Sequence, residues 1–208
     1  MLRQRRRTVR YVINVNDART IAQQLLESEL PRRWAHTQGV AGQAHELALV
    51  LGEEAELVEV AAWLHDVGYA SGAVSTGLHA LDGARYLRDV LEASDLLCQL
   101  VAHHTGAAIE AEERGFRPIS EEFAAPPTRL LDALTYCDMT ASVDGAATDV
   151  EERLSEILTR YPADHVVHRS ITRSAPILKQ AARNMERRLK RDPRTLGQSK
   201  YGEAGRVK

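Results

Sequence analysis

Val58-Glu59-Val60-Ala61-Ala62-Trp63-Leu64-His65-Asp66-Val67-Gly68 decides how this chain is read. Every residue from Val58 to Leu64 except Glu59 is apolar. A helix that is apolar on nearly every side is buried against other elements, so the stretch predicts a short central helix. His65 falls on the same face as Val58, Ala61 and Ala62, at offsets of seven, four and three, and Asp66 follows at once. An imidazole and a carboxylate at the end of the most apolar helix need partners, because burying either uncompensated is costly.

Working outward, the apolar spacing stays helical. Ala18, Ile21, Ala22, Leu25, Leu26 and Leu30 recur at three and four, and Pro31 closes that helix and opens another. Trp34, Val40, Ala41, Ala44, Leu47 and Leu51 carry the second helix to a stop at Gly52. Downstream, Leu78, Leu81, Ala84, Leu87 and Leu91 form a stripe, and Ser94 is an N-cap for a helix bearing Leu97, Leu100 and Val101. Residues 106–127, with Gly115, Pro118, Pro126 and Pro127, read as a long connection before Leu130, Leu131 and Leu134 resume a helix. Thr148-Asp149-Val150-Glu151 reads as a capping box. A last helix spans about Val166 to Leu189, bent or interrupted near Pro176. Val9–Val15 alone suggests strand alternation. The expected architecture is all-α: a single helical bundle over 17–190, a basic extension over 1–16 and a disordered tail over 191–208.

The chain has 208 residues, 44% of them hydrophobic and 27% charged, which suits a globular domain with a sizeable core. No apolar run approaches the roughly 20 residues of a membrane span, and no signal-peptide pattern opens the chain, so a cytoplasmic protein is expected. Cys98 and Cys137 lie in helical apolar patterns and read as buried thiols rather than a disulfide framework. The net charge of −2 is unevenly spread. Residues 1–10 carry five Arg and no acid, and residues 183–208 carry nine Lys/Arg against three acids. The body, 11–182, has 13 basic and 26 acidic residues. An acidic body argues against nucleic acid as the main ligand and requires a cation wherever phosphate binds. The basic ends could touch nucleic acid or anionic lipid, but read first as solvated, flexible tails.

The chain has eight His, several of them on apolar helix faces. His36 lies one turn after Arg33 and one before Val40. Asp138 shares a face with Leu131, Leu134 and Ala141. Singly, such a His is a hydrogen-bonded core residue and such an Asp a cap or ion-pair partner. Together, His36, His65, Asp66 and Asp138 are four metal-capable groups on three helices. Two nitrogens and two carboxylates suit a six-coordinate divalent ion, Mn, Fe, Co, Ni or Mg, rather than a closed structural Zn site.

Arg33-Trp34-Ala35-His36, Leu64-His65-Asp66-Val67-Gly68 and Tyr136-Cys137-Asp138 resemble the H…HD…D pattern of the HD superfamily of metal-dependent phosphohydrolases. The resemblance covers about residues 30–140. It implies that His36, His65, Asp66 and Asp138 hold a metal that orients a phosphate and lowers the pKa of a bound water. Arg33 could bind a phosphate oxygen, or be a surface residue. Leu78-His79 and His103-His104-Thr105-Gly106 match stations where some members, such as diadenosine-polyphosphate hydrolases and cyclic-dinucleotide phosphodiesterases, carry extra His and two ions. His104 follows Val101, Leu100 and Leu97 at three, four and seven and faces inward, whereas His103 lies beside Gln99. His79 and His104 are therefore candidates for a second ion or a direct phosphate contact, with Asp66 as bridge and as the catalytic carboxylate. Two departures stand out: there is no Gly-Tyr-Pro triplet of the cyclic-di-GMP phosphodiesterases, and Ala70 stands where some members carry Lys. His45, His165 and His168 match no station and are expected to be exposed.

The function this implies is hydrolysis of a phosphate ester or anhydride in a small nucleotide-like substrate. The alternative is a catalytically inactive bundle of the same fold that senses nucleotides or binds a partner. Nucleophilic catalysis has little support: no Gly-x-Ser-x-Gly elbow exists, and His45-Glu46 lacks the second His of a zinc protease. The amphipathic last helix could serve a homodimer.

Overall fold

The computed structural model describes residues 12–191. Ten α-helices order these residues: α1 (Val15–Leu26), α2 (Pro31–Glu46), α3 (Ala48–Leu51), α4 (Ala55–Leu64), α5 (His79–Asp89), α6 (Asp95–His103), α7 (Ala107–Glu113), α8 (Thr128–Met139), α9 (Val150–Arg160) and α10 (Val166–Arg191). Short 3-10 turns lie between several of them. The described residues contain no strand. One isolated antiparallel bridge joins Ala141 to Ala147. No helix among them is long and apolar enough to cross a membrane.

The nearly all-apolar stretch sits at the centre, as its composition requires. Val58, Val60, Ala61, Ala62 and Leu64 of α4 are all buried, and α4 packs against α1, α2, α6 and α8. The caps follow local chemistry. Asn14 and Asp17 form a reciprocal capping box that opens α1. Pro31 occupies the first turn of α2, and Ser94 accepts from the Leu97 N–H. Gly52 ends α3 at φ +61°, in the left-handed region open to glycine. A second apolar cluster, including Met139, Leu154, Ile157, Ile171 and Leu178, joins α8, α9 and α10. The molecule is thus a main bundle with an α9–α10 wall laid along α7 and α8.

Several expectations need correction. The helix expected from Trp34 to Leu51 breaks at Leu47, whose N–H is shared between the Gln43 and Ala44 carbonyls. The connection over 106–127 contains α7 and a 3-10 turn, Ile119–Glu121. The N-cap of α9 is Asp149 rather than Thr148: Asp149 is extended and accepts from the Glu152 N–H, while the Thr148 hydroxyl donates to the Glu152 carboxylate at 3.0 Å. Pro176 does not interrupt α10. Pro176 and Thr172, whose carbonyl would take the missing bond, both lie on the exposed side, where water can satisfy it. Val12–Asn14 form no strand and Val15 begins α1; the rest of the expected strand lies outside the described residues. Most of the basic extension and the tail expected to be disordered lie outside them too. Cys98 and Cys137 are both buried, as expected.

Candidate metal centre

His65 and His104 take their positions by the same device. Each follows directly on the last residue of a helix, α4 and α6 respectively. The last carbonyls of a helix lack intrahelical donors. The His65 Nδ1 donates to the Ala62 carbonyl at 2.7 Å, and the His104 Nδ1 donates to the Val101 carbonyl at 2.6 Å. His36, in the middle of α2, donates from Nδ1 to the Ser142 carbonyl at 2.9 Å. A carbonyl can only accept, so in all three neutral rings Nε2 is left with a bare lone pair. All three Nε2 atoms turn toward Asp66 or Asp138.

Asp66 stands between two groups of imidazoles. Its Oδ2 lies 3.2 Å from His65 Nε2 and 3.9 Å from His36 Nε2. Its Oδ1 lies 3.6 Å from His79 Nε2 and 3.9 Å from His104 Nε2. Asp138, arriving on α8, places Oδ1 2.9 Å from His36 Nε2 and 4.0 Å from His65 Nε2. The Thr105 hydroxyl holds the other oxygen of Asp138. Thr105 does so from φ +45°, a conformation costly for a branched residue.

His79 opens α5, and two features fix it there. Gly68 packs so closely on this helix that an added Cβ would lie 1.9 Å from the His79 carbonyl oxygen. Asp82, one turn on and buried, accepts from the backbone N–H groups of Ser75, Thr76 and Gly77 and from both hydroxyls, and so ties down the loop leading into His79. Tyr69 stacks on His79 with ring centroids 4.2 Å apart. Arg33 covers the Tyr69 ring at 4.1 Å and donates to Asp66 Oδ2 at 2.8 Å.

Burial alone would raise the Asp66 carboxyl, but Arg33 and His65 outweigh it and hold it well below the usual range. Asp138 is likewise driven down against its burial, chiefly by His36 and His65. Burial pushes His79 down to about 3 and lowers His104, and any positive charge on His65 adds to both effects. Burial opposes charge on His65 as well, yet the facing carboxylates win and raise it. The centre therefore gathers two carboxylates and a set of lone pairs that would repel one another unless a proton or cation lay among them. His65 Nε2 is fully buried and finds no hydrogen-bond partner. The groups His36–His65–Asp66, His65–His104–Asp138 and Asp66–His79–His104 each offer ligand atoms within 4.8 Å of one another. Oxygen and imidazole donors of this kind, with ring orientations fixed by carbonyls, fit a divalent ion.

All of the residues singled out in the sequence, His36, His65, Asp66, Asp138, His79, His104 and Arg33, meet here. Arg33 is half-buried on Asp66 rather than a free surface residue. His103 points away, its Nε2 donating to the Phe123 carbonyl at 2.7 Å. His45 is exposed, but His165 and His168 are half-buried, a correction. Both meet Tyr161: His165 stacks on its ring and His168 donates to its carbonyl. Sequence reading missed Tyr69, Thr105, Asp82 and the Ser142 carbonyl. Thr105 and Tyr69 sit one and three residues past His104 and Asp66, close enough in sequence to have been suspected. The Ser142 carbonyl left no side-chain signal.

The chain matches the HD domain family over residues 33–143. It belongs to the HD domain family. That superfamily is one of metal-dependent phosphohydrolases, and its members bind divalent metals. Ribonuclease Y of Rubrobacter xylanophilus is 34% identical over 79 residues, which make up 38% of this chain and 15% of that protein. The HD chain thus corresponds to a small part of that relative. No solved structure matches. The matched HD segment contains every residue of the cluster, whereas α9 and α10 lie beyond it.

Proposed function

We propose that this chain is a metal-dependent phosphohydrolase acting on a phosphate ester or anhydride of a small nucleotide-like molecule. The observation that carries the reading is Asp66, whose two oxygens face two separate pairs of imidazoles. On this reading His36, His65, Asp66 and Asp138 hold a divalent ion, Mn, Fe, Co, Ni or Mg. His79 and His104 share Asp66 with a second ion or touch substrate phosphate directly. A bound ion supplies Lewis acidity toward a phosphoryl oxygen and a water nucleophile near neutral pH.

The chain's own side chains provide binding and orientation. Arg33 presents a planar donor fork at the cleft, a shape that matches phosphate oxygens. His79 is neutral near pH 7, so it can ligate or accept a hydrogen bond without repelling a cation. Thr105 and the three carbonyls fix carboxylate and ring orientations before substrate arrives. The name of the related Ribonuclease Y supports phosphodiester chemistry for this kind of segment. The acidic body, 13 basic against 26 acidic residues, favours a small substrate over a polyanion.

The test is metal analysis of the purified protein and a Mn-supplemented screen for phosphate release from mononucleotides, polyphosphates, dinucleotides, cyclic nucleotides and short RNA. Asp66→Ala should lose both metal and turnover while keeping its helical circular dichroism. Full metal content and full turnover in that variant would end the assignment. Tight nucleotide binding without release under any metal would favour an inactive sensing module.

A further inference from the structure

A cleft opens over the His/Asp cluster. Its far wall comes from α9 and α10, outside the segment shared with the family. Arg153 lines that wall and is only 5% exposed. Its Nη1 donates to Glu156 at 2.5 Å, but its Nε–H is buried without an acceptor. Glu156 is shared with Arg160, which also lines the cleft, so two guanidiniums are balanced by one carboxylate. Glu110, another acid lining the cleft, is paired to Arg114 at 2.6 Å. A guanidinium buried with one donor unmet and half of a carboxylate for its counter-charge is costly, and an anion in the cleft would offset that charge. Beside it, Ile157, Ile171 and Tyr161 form an apolar and aromatic surface.

We infer that Arg153, backed by Arg160, forms a second anion subsite for a phosphoryl group other than the one at the His/Asp cluster. The inference rests on reading the cluster as a phosphate-handling centre, and it narrows the substrate class to compounds with two or more phosphoryl groups, such as nucleoside diphosphates. The nucleoside lies against Tyr161 and Ile157. Arg153 is thus a specificity-determining residue that distinguishes polyphosphates from monophosphates. An arginine fork suits this task because it offers paired donors to phosphate oxygens.

ADP and AMP are titrated calorimetrically into the Mn-loaded protein, and turnover of both is measured in parallel. The wild type should bind ADP about tenfold or more tighter than AMP, one arginine–phosphate contact's worth. Arg153→Gln should weaken ADP by about 10–100-fold and AMP by far less, with Arg153→Lys intermediate. Arg160→Gln should show the same selectivity at smaller size, and this partly exposed side chain carries the test if Arg153→Gln fails to fold by circular dichroism. Equal wild-type affinities, absent ADP binding, or parallel losses for both nucleotides would overturn the subsite. Binding reads the subsite whether or not turnover occurs. A protein that binds ADP selectively through Arg153 yet releases no phosphate defeats the hydrolase reading alone.

Discussion

The Nδ1–H of His36 donates to the Ser142 carbonyl at 2.9 Å, across 106 residues of sequence. The loop carrying Ser142 is pressed onto α2 by Gly145, whose added Cβ would lie 2.2 Å from the Ala35 carbonyl and whose φ is +81°. Gly39 meets it from the other side, where a Cβ would lie 2.4 Å from the Gly145 oxygen. Gly145→Val should therefore push the loop off α2 and free the His36 ring. Loss of such an outer contact typically costs about 10–100-fold in metal affinity. Mn titration calorimetry on the variant checks this, and unchanged affinity would show that the carbonyl does not matter.

His104 and His103 are neighbours in sequence with opposite fates. His104 Nε2 faces Asp66 and His79, whereas His103 caps the Phe123 carbonyl. His104→Ala should reduce phosphate release by about tenfold or more, the scale of one lost ligating or hydrogen-bonding group. His103→Ala should leave turnover close to wild type and cost some thermal stability. Equal effects on turnover would contradict the placement of these rings.

Thr105 combines an unfavourable backbone conformation with a hydroxyl held on Asp138. Thr105→Gly removes both, and Thr105→Val removes the hydroxyl alone. Both variants should bind Mn more weakly. The Gly variant should be the more stable of the two by about 1–2 kcal/mol, the cost of a left-handed branched residue. Denaturant melts of the pair measure the difference, and a more stable Val variant would count against strain at this position.

Asp82 accepts from the Ser75–Gly77 turn, and although burial opposes it, these hydrogen bonds hold its carboxyl below its ordinary value of 3.8. A carboxyl depressed on folding contributes stability that is present above its unfolded pKa and lost as pH falls through its folded one. Asp82→Asn should destabilise by about 2–4 kcal/mol at pH 7, since hydrogen bonds to a charged acceptor are lost and amide donors face donors. The gap between the two proteins should narrow as pH drops below about 4. Thermal melts at pH 7, 5 and 3 follow it, and a gap independent of pH would mean that the charge plays no part.

The bundle and the cluster were largely legible in the sequence because both write themselves in side-chain spacing. Val58–Leu64 could only be central, and His36 and Asp138 fall on inward helix faces while His65, Asp66 and His104 come just past the ends of α4 and α6. What escaped reading depends on backbone or on long-range approach. The Leu47 break, the shift of the α9 cap to Asp149 and the carbonyl of Ser142 carry no periodicity. Pro176 misled because its effect depends on whether the orphaned carbonyl meets water, which needs the fold to be known. Arg153 escaped reading altogether, because its burial depends on how α9 packs in the fold.

The donors of the cluster come from α2, the end of α4, α5, the end of α6 and α8, stretches strewn over a hundred residues of chain. In an unfolded chain they have no common location, so an ion held by His36, His65, Asp66 and Asp138 would clamp three of these segments at once. Whatever binds only the folded form adds stability by mass action, roughly 2.7 kcal/mol at a hundredfold excess over the dissociation constant. Heat resistance would then track the trace-element content of the growth medium, and a chelator would soften the whole bundle rather than the cleft alone.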